Sequence, residues 1–170
     1  SRALDGSEVT RAALGRSLEQ AMTARPLLPR SLAEGKIGND VIRARAIDSQ
    51  GRVFVGDRSN NRIQLFDQDG EYLTSWTQFG RPSGIFFDHL GRIVVADSES
   101  DDVQNPGWDM GIRIGDAASG AVREFILYPW GDPRETAGTG AEFAAVDRDG
   151  NIYGGEPRPR RLQKYVRVRP

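Results

Sequence analysis

The chain has 170 residues, and its 23 Lys and Arg against 24 Asp and Glu give a formal net charge of -1. This balance provides no electrostatic attraction to nucleic acid, and no apolar run approaches the about 20 residues of a membrane span. The lack of cysteine excludes disulfides, thiolate metal ligands and cysteine nucleophiles. We therefore expect no nucleic-acid partner and no membrane span.

Residues 1–40 differ in pattern from the rest of the chain. Apolar side chains recur there at helical spacing, at Val9, Ala13, Leu14, Leu18, Ala21 and Met22. The pair Arg25-Pro26 is placed to end a helix. This pattern predicts an amphipathic helix over residues 7–24 and a connector up to residue 40.

From residue 41 onward the chain repeats one pattern three times. Each copy has an Asp-x-x-Gly turn, a short apolar strand and a closing acid nine residues after the turn acid. The turns begin at Asp48, Asp88 and Asp147, and the closing acids are Asp57, Asp97 and Glu156. The first two turns are 40 residues apart and the next two 59 apart, which indicates insertions in the middle copy. A period near 40 built from short strands is typical of β-propeller blades.

Turn and alternation patterns predict four strands in each of the first two copies and three in the last. We therefore expect an all-β fold: a partial propeller of about three four-stranded blades over residues 41–170, preceded by an N-terminal α-helix. The blades are expected at about 41–80, 81–133 and 134–170. The predicted strands are 44–47, 53–56, 62–66, 72–76, 84–87, 93–96, 111–114, 121–127, 143–146, 151–154 and 161–166.

The segment from Asp57 to Phe66 reads D-R-x-N-x-R-I-Q-x-F and resembles the NHL repeat of β-propellers. The third copy keeps the same offsets at Arg161, Leu162, Gln163 and Tyr165. More narrowly, residues 79–84, 96–100 and 140–142 resemble bacterial propellers related to peptidylglycine amidating lyases. The resemblance covers about residues 41–170 and implies a ring of six blades.

Three blades cannot close a ring, because each blade packs its flat face on the next and the terminal faces would expose apolar surface. Three explanations remain open. The chain is the C-terminal half of a longer protein, or two copies form a homodimer that completes a six-bladed ring, or the N-terminal helix caps an open face.

The resemblance implies a chemistry that these residues only partly support. Amidating lyases, which are carbon-nitrogen lyases, cleave peptidyl-α-hydroxyglycine to an amidated peptide and glyoxylate, with zinc held by histidines near the propeller axis. The matching positions here are Arg43, Ser83 and Glu142, and the single histidine, His89, lies inside a turn that we expect to be exposed. We predict no metal site in this chain. Zinc or calcium would be the cofactor only of a lyase-like enzyme.

One lyase element is retained: the resemblance implies that Arg58, which follows the closing acid Asp57, is catalytic. A guanidinium there could bind a carboxylate bidentately and stabilise an oxyanion. The alternative is a structural ion pair with an acid of the neighbouring blade. The closing acids Asp57, Asp97 and Glu156 should gather at one face, either as ligand-binding groups or as hydrogen-bond acceptors between blades.

The insertion in the middle copy, residues 98–108, is the least generic segment, and long loops on a rigid scaffold often carry binding residues. We select Glu99 and Trp108 as ligand-binding candidates. The acids of this loop offer oxygen ligands but lack the spacing of an EF-hand. Glu142 is our candidate pocket acid, because it stands where the lyases place a histidine.

Six basic residues cluster near the C-terminus, and we expect them to protect an edge strand. They are Arg158, Arg160, Arg161, Lys164, Arg167 and Arg169. For function, we predict a scaffold that binds a small molecule or peptide at the propeller axis. The alternative is a lyase-like fragment whose metal ligands lie in missing blades; the resemblance suggests a secreted or periplasmic location.

Overall fold

The structure is a computed structural model and describes residues 42–129, 140–158 and 160–168. The predicted helix over residues 7–24 lies outside these residues. All eleven predicted strands are present, with ends shifted by at most two residues. The fold is all-β, as predicted.

The strands form three antiparallel sheets in which each strand pairs with its neighbour in sequence. The first blade contains β1 (Ile42–Ile47), β2 (Val53–Asp57), β3 (Arg62–Phe66) and β4 (Tyr72–Trp76). The second contains β5 (Pro82–Phe87), β6 (Arg92–Asp97), β7 (Gly111–Asp116) and β8 (Val122–Leu127). The third contains β9 (Phe143–Val146), β10 (Ile152–Glu156) and β11 (Arg161–Tyr165), so within the described residues it has three strands.

The Asp-x-x-Gly turns form because the aspartate carboxylate accepts hydrogen bonds from the backbone of the turn. In the first blade, Oδ1 of Asp48 accepts from the amides of Gln50 and Arg52, both at 2.9 Å. Gly51 closes the turn with a φ of +79°, a conformation that favours glycine. Asp88 and Asp147 make the same pair of backbone contacts in their blades.

Both faces of the second blade are buried, and the side chains along β6 alternate strictly between them. Ile93 and Val95 point towards the first blade, whereas Val94 and Ala96 point towards the third, and none of the four is exposed to solvent. Fully burying an aliphatic side chain of this kind stabilises a fold by about 1.5–3 kcal/mol. Face-to-face packing through these side chains holds the three blades together.

The first strands of the blades lie side by side, β1 next to β5 and β5 next to β9. At Gly84 in β5 the approach is so close that a Cβ atom would lie 2.7 Å from the carbonyl oxygen of Glu142 and from the Cα of Phe143. This convergence places the first strands on the inner side of a propeller arc. The three closing acids consequently lie at one edge of the arc and the Asp-x-x-Gly turns at the other.

Candidate functional site

Two of the closing acids bind the arginine that begins the next strand of their own blade. Asp57 accepts from Nε of Arg62 at 2.8 Å and from Nδ2 of Asn60 at 2.8 Å. Glu156 accepts from Nε of Arg161 at 3.1 Å and from a second nitrogen of the same guanidinium. Both acids are buried. Their oxygens are therefore engaged inside each blade, where they order the loop after the strand.

Asp97, the closing acid of the second blade, has no exposed surface and holds together three segments. It accepts from the amide of Arg81 at 3.1 Å, from the hydroxyl of Ser100 at 2.5 Å and from Nη1 of Arg113 at 3.0 Å. Burial raises the pKa of the Asp97 carboxyl, and the hydrogen bond from Ser100 and the charge of Arg113 oppose that rise. The result is a buried anion surrounded by donors.

Arg113 is held between two aromatic rings as well as by Asp97. Its guanidinium carbon lies 4.8 Å from the ring centre of Trp108 and 4.4 Å from that of Phe125. Such cation–π contacts are strongest where water is excluded, and Arg113 is buried. Trp108 therefore covers the Arg113 guanidinium while leaving 37% of its own surface exposed.

The blades meet at a cluster of charges formed by Arg58, Arg81 and Glu99. Nη1 of Arg58 lies 2.7 Å from Oε1 of Glu99, and Nη2 of Arg81 lies 3.4 Å from Oε2 of the same carboxylate. Arg58 and Arg81 are buried, whereas the Glu99 side chain is 30% exposed. Glu99 comes from the inserted loop, so the insertion supplies the anion shared by two cations.

A chain of hydrogen bonds extends this cluster towards Asp97. Nη1 of Arg81 donates to Oδ1 of Asn61 at 3.0 Å, and Asn61 donates to Asn105 at 3.0 Å. Asn105 in turn donates to Ser100, which binds Asp97. Nε of Arg81 is buried and has no hydrogen-bond partner within the described part of the chain. The site therefore retains a spare donor.

The remaining candidates divide between the site and its surroundings. In the insertion, Asp101 accepts from the amides of Val103 and Gln104 at 2.8 and 2.6 Å and so orders its own loop. Glu142 is half-buried at the junction of the second and third blades, and its carboxylate makes no hydrogen bond or ion pair within the described ranges. His89 is exposed in its turn.

The positions that the resemblance assigns to zinc ligands do not form a zinc site. Arg43 lies in β1, and the hydroxyl of Ser83 is 2.7 Å from that of Ser98, a pair that supplies neither imidazole nor thiolate. Within residues 42–129, 140–158 and 160–168, no group of three or more His, Cys, Asp or Glu could hold a metal ion. The residues present therefore do not fit the zinc centre of the lyases.

Reasoning from sequence missed the partners of the predicted residues: Arg81, Asn61, Ser100 and Arg113. Arg81 precedes the first strand of the second blade in the run Gly80-Arg81-Pro82. The available signal was that the cation Arg81 and the acidic inserted loop belong to the same repeat. It did not show which acid would be the partner, because that depends on how the loop folds back over the blade.

No protein-family model matches the chain. Among curated proteins, human NHL repeat-containing protein 3 is 46% identical over 54 residues, which are 29% of this chain and 15% of that protein. Protein lin-41 of Caenorhabditis elegans is 57% identical over 28 residues, which are 16% of this chain and 2% of that protein. The matches thus span a small part of these relatives.

Two solved structures align with part of the chain. Hydrazine synthase of Kuenenia stuttgartiensis aligns with 72% of this chain and 36% of its own, at a TM-score of 0.48 and 16% identity. Virginiamycin B lyase of Staphylococcus aureus aligns with 75% and 41%, at a TM-score of 0.44 and 13% identity. Both scores are below 0.5, so the fold rests on the strand order and pairing above. The described residues contain no helix long and apolar enough to cross a membrane.

Proposed function

We propose that the chain is a binding scaffold, because its repeats are NHL repeats folded as blades of a β-propeller. The ligand site lies at the edge of the propeller arc where the closing acids are found. The ligand is a small molecule or peptide that carries a carboxylate. The binding residues are Arg81, Trp108 and Arg58, and Glu99 is the carboxylate that the ligand displaces. Asp57, Asp97 and Glu156 support the site by ordering the loops around it, and the half-buried Glu142 is a further candidate at the junction of the second and third blades.

The observation that carries this proposal is the unused donor of Arg81. Leaving a buried donor unsatisfied costs about 1–3 kcal/mol, and here it is the Nε atom of a guanidinium whose other nitrogens are bound. A ligand carboxylate can accept from Nε and an Nη atom of one guanidinium at once. Glu99 is partly exposed and holds Arg81 at 3.4 Å, so it is the group that the ligand displaces.

The test uses N-benzoylglycine as a probe carboxylate and N-benzoylglycinamide as its uncharged match, titrated into the ¹⁵N-labelled chain. We expect the carboxylate to shift the backbone amide signals of Arg81 and Glu99 and the amide probe to leave them in place. Arg81→Gln should weaken binding about tenfold through loss of a charge-assisted bond. Arg148→Gln, at an exposed turn of the third blade, is the matched control and should bind normally.

A second variant separates a binding role from a structural one. Glu99→Gln removes the competing carboxylate, so the probe should bind more tightly even though the fold loses an ion pair. Equal weakening by Arg81→Gln and Glu99→Gln, or equal shifts with both probes, would contradict the proposal.

We also propose that a second copy of the chain covers the outer face of the third blade, as in a ring of six blades. Phe143 and Leu162 both pair with Gly155 on that face, and their side chains are 57% and 65% exposed. Such an exposed apolar row is typical of a surface that another blade covers. Light scattering should then give twice 18.7 kDa, and Leu162→Glu should return the mass to one chain. A monomer at high concentration would point to other blades of a longer chain as the neighbour.

The second candidate function is an amidating lyase-like enzyme, a carbon-nitrogen lyase. It is favoured by the burial of Arg58 at the cluster where the two blades meet. The positions assigned to zinc in this chain do not fit the metal, so the ligands would have to come from other blades. Turnover of a peptidyl-α-hydroxyglycine in the presence of zinc, lost in Arg58→Ala, would establish it. Turnover that survives Arg58→Ala would remove the reason for this candidate.

A further inference from the structure

A groove of about 510 Å³ lies between the second and third blades, at the edge of the Asp-x-x-Gly turns and away from the closing acids. This volume is within the usual range for sites that hold small ligands. Its lining includes Arg92, Ile126, Gly150, Ile152, Val166 and Arg167.

The equivalent junction between the first and second blades shows how such a groove is normally closed. There Arg52 binds its own turn acid, Asp48, through Nε at 2.7 Å, and its Nη2 donates to the carbonyl oxygen of Ala117 in the next blade at 2.7 Å. One arginine thus ties a turn to the neighbouring blade.

Arg92 occupies the same place in the second blade, but no such acceptor lies within its reach in the described ranges. Its Nε binds Asp88 at 2.6 Å, and its Nη1 lies 3.8 Å from the half-exposed Glu124. Its Nη2 is buried and has no hydrogen-bond partner among the residues that the structure describes. The strand register gives the reason. Gly115 pairs with Ile93 in the second blade, and Tyr165 pairs with Ile152 at the same place in the third blade. Two residues further on, Arg167 therefore stands in the third blade where Ala117 stands in the second. The chain around Arg167 follows another path, with its amide bound to Asn151 at 3.2 Å.

Arg167 brings a second guanidinium to the unused donor. An ideal Cβ at Gly150 would lie 3.9 Å from Nη2 of Arg92 and also 3.9 Å from Nη1 of Arg167, so both nitrogens face the space above this glycine. Asp88 balances the charge of Arg92, whereas the Arg167 guanidinium has no ion pair in the part of the chain that the structure describes. Arg167 is exposed, and its long side chain can turn to admit an oxygen atom.

The other wall of the groove is apolar. Ile126 and Ile152 form its base, and Val166 and Val168 are 67% and 87% exposed beside it. We propose that this groove binds a small monocarboxylate with an apolar tail, with the carboxylate between Arg92 and Arg167 above Gly150. The tail would cover the two valines and remove their surface from water. This site is separate from the one around Arg81.

The test is an NMR titration of the ¹⁵N-labelled chain with hexanoate. The control ligand is 1-hexanol, which has the same apolar tail and no charge. Hexanoate should shift the amide signals of Gly150 and Arg167, with a dissociation constant at these two signals that Arg81→Gln leaves unchanged. Arg167→Gln should raise the dissociation constant about tenfold, since it removes a charge-assisted contact. The control, Arg123→Gln, changes an exposed arginine outside the groove and should bind like the parent chain.

Hexanoate that leaves the Gly150 and Arg167 signals in place overturns the proposal. Equal affinity for 1-hexanol does so as well, because it would show an apolar cleft without carboxylate recognition. An Arg167→Gln chain that binds hexanoate as tightly as the parent would have the same meaning, and since Arg167 is exposed this variant is expected to fold.

Discussion

Arg58 of the first blade and Glu99 of the second form an ion pair, with Nη1 2.7 Å from Oε1. The pair joins the turn after β2 to a loop that the middle repeat has gained by insertion. Arg81 binds the other oxygen of the same carboxylate. The insertion therefore couples two blades, and we expect removal of the Glu99 carboxylate to destabilise both of them.

Glu99→Gln should destabilise the chain by about 1.5–3 kcal/mol, since hydrogen bonds to charged groups contribute that much and two guanidinium groups lose their shared anion. The measurement is urea unfolding followed by tryptophan fluorescence. Glu124→Gln is the control, because Glu124 is 52% exposed and lies 3.8 Å from Arg92. Equal effects of the two substitutions would mean that the Glu99 cluster adds nothing to stability.

Arg113→Ala should be more severe, at about 3–5 kcal/mol, because it leaves the buried Asp97 without its cation. Arg62→Ala, which breaks the corresponding pair with Asp57 at a side chain 38% exposed, should cost about 1 kcal/mol or less. Thermal unfolding of both variants measures the difference. If Arg62→Ala proved the more costly, burial would not be what distinguishes the two pairs.

Gly84→Ala should destabilise the contact between the second and third blades by about 1–3 kcal/mol, a typical cost of overpacking. Its Cβ would meet backbone atoms of Glu142 and Phe143 that cannot rotate away. The control is Gly154→Ala at the same junction, where the new Cβ would lie 3.1 Å from the terminal methyl of Ile112, a side chain that can adjust. Hydrogen exchange of the third-blade amides should rise in Gly84→Ala and much less in the control.

Asp147 should titrate well below an ordinary aspartate. The hydrogen bond from Asn151 lowers the pKa of Asp147 to about 2, helped by the hydroxyl of Tyr153 at 3.0 Å. A depressed carboxyl pKa gives stability that is present above the unfolded value of 3.8 and is lost as the pH falls towards about 2. Carboxyl ¹³C titration should show the low midpoint, and Asn151→Ala should move it up. An unchanged midpoint in Asn151→Ala would assign the shift to another group.

All eleven strands could be predicted because their signals are local. Alternation along Val53 to Phe66 and the Asp-x-x-Gly turns depend on neighbours within a few residues, and each turn is closed by its own aspartate. The strand ends moved by up to two residues, where pairing with the next strand extends the ladder. The helix over residues 7–24 and the binding and catalytic roles remain predictions.

The candidate site could be predicted only in part. Arg58, Glu99 and Trp108 were selected from motif and insertion, and the structure places Arg58 on Glu99 and Trp108 on Arg113. Arg81 was not selected. Its contacts with Asn61 and Glu99 join residues about 20 positions away on either side, and no short pattern reports which long side chains will meet.

The sequence alone determined the repeat, its turns and its strands, because period-two burial and a carboxylate that caps its own turn are properties of a few consecutive residues. Only the tertiary structure decided which charges share a carboxylate and which donors stay unused. Arg52 and Arg92 hold the same place in the repeat, yet Nη2 of Arg52 binds the carbonyl of Ala117, whereas Nη2 of Arg92 meets no acceptor in the described part of the chain. That difference is set by the path of the neighbouring blade, since hydrogen bonding between blades depends on packing and not on the motif.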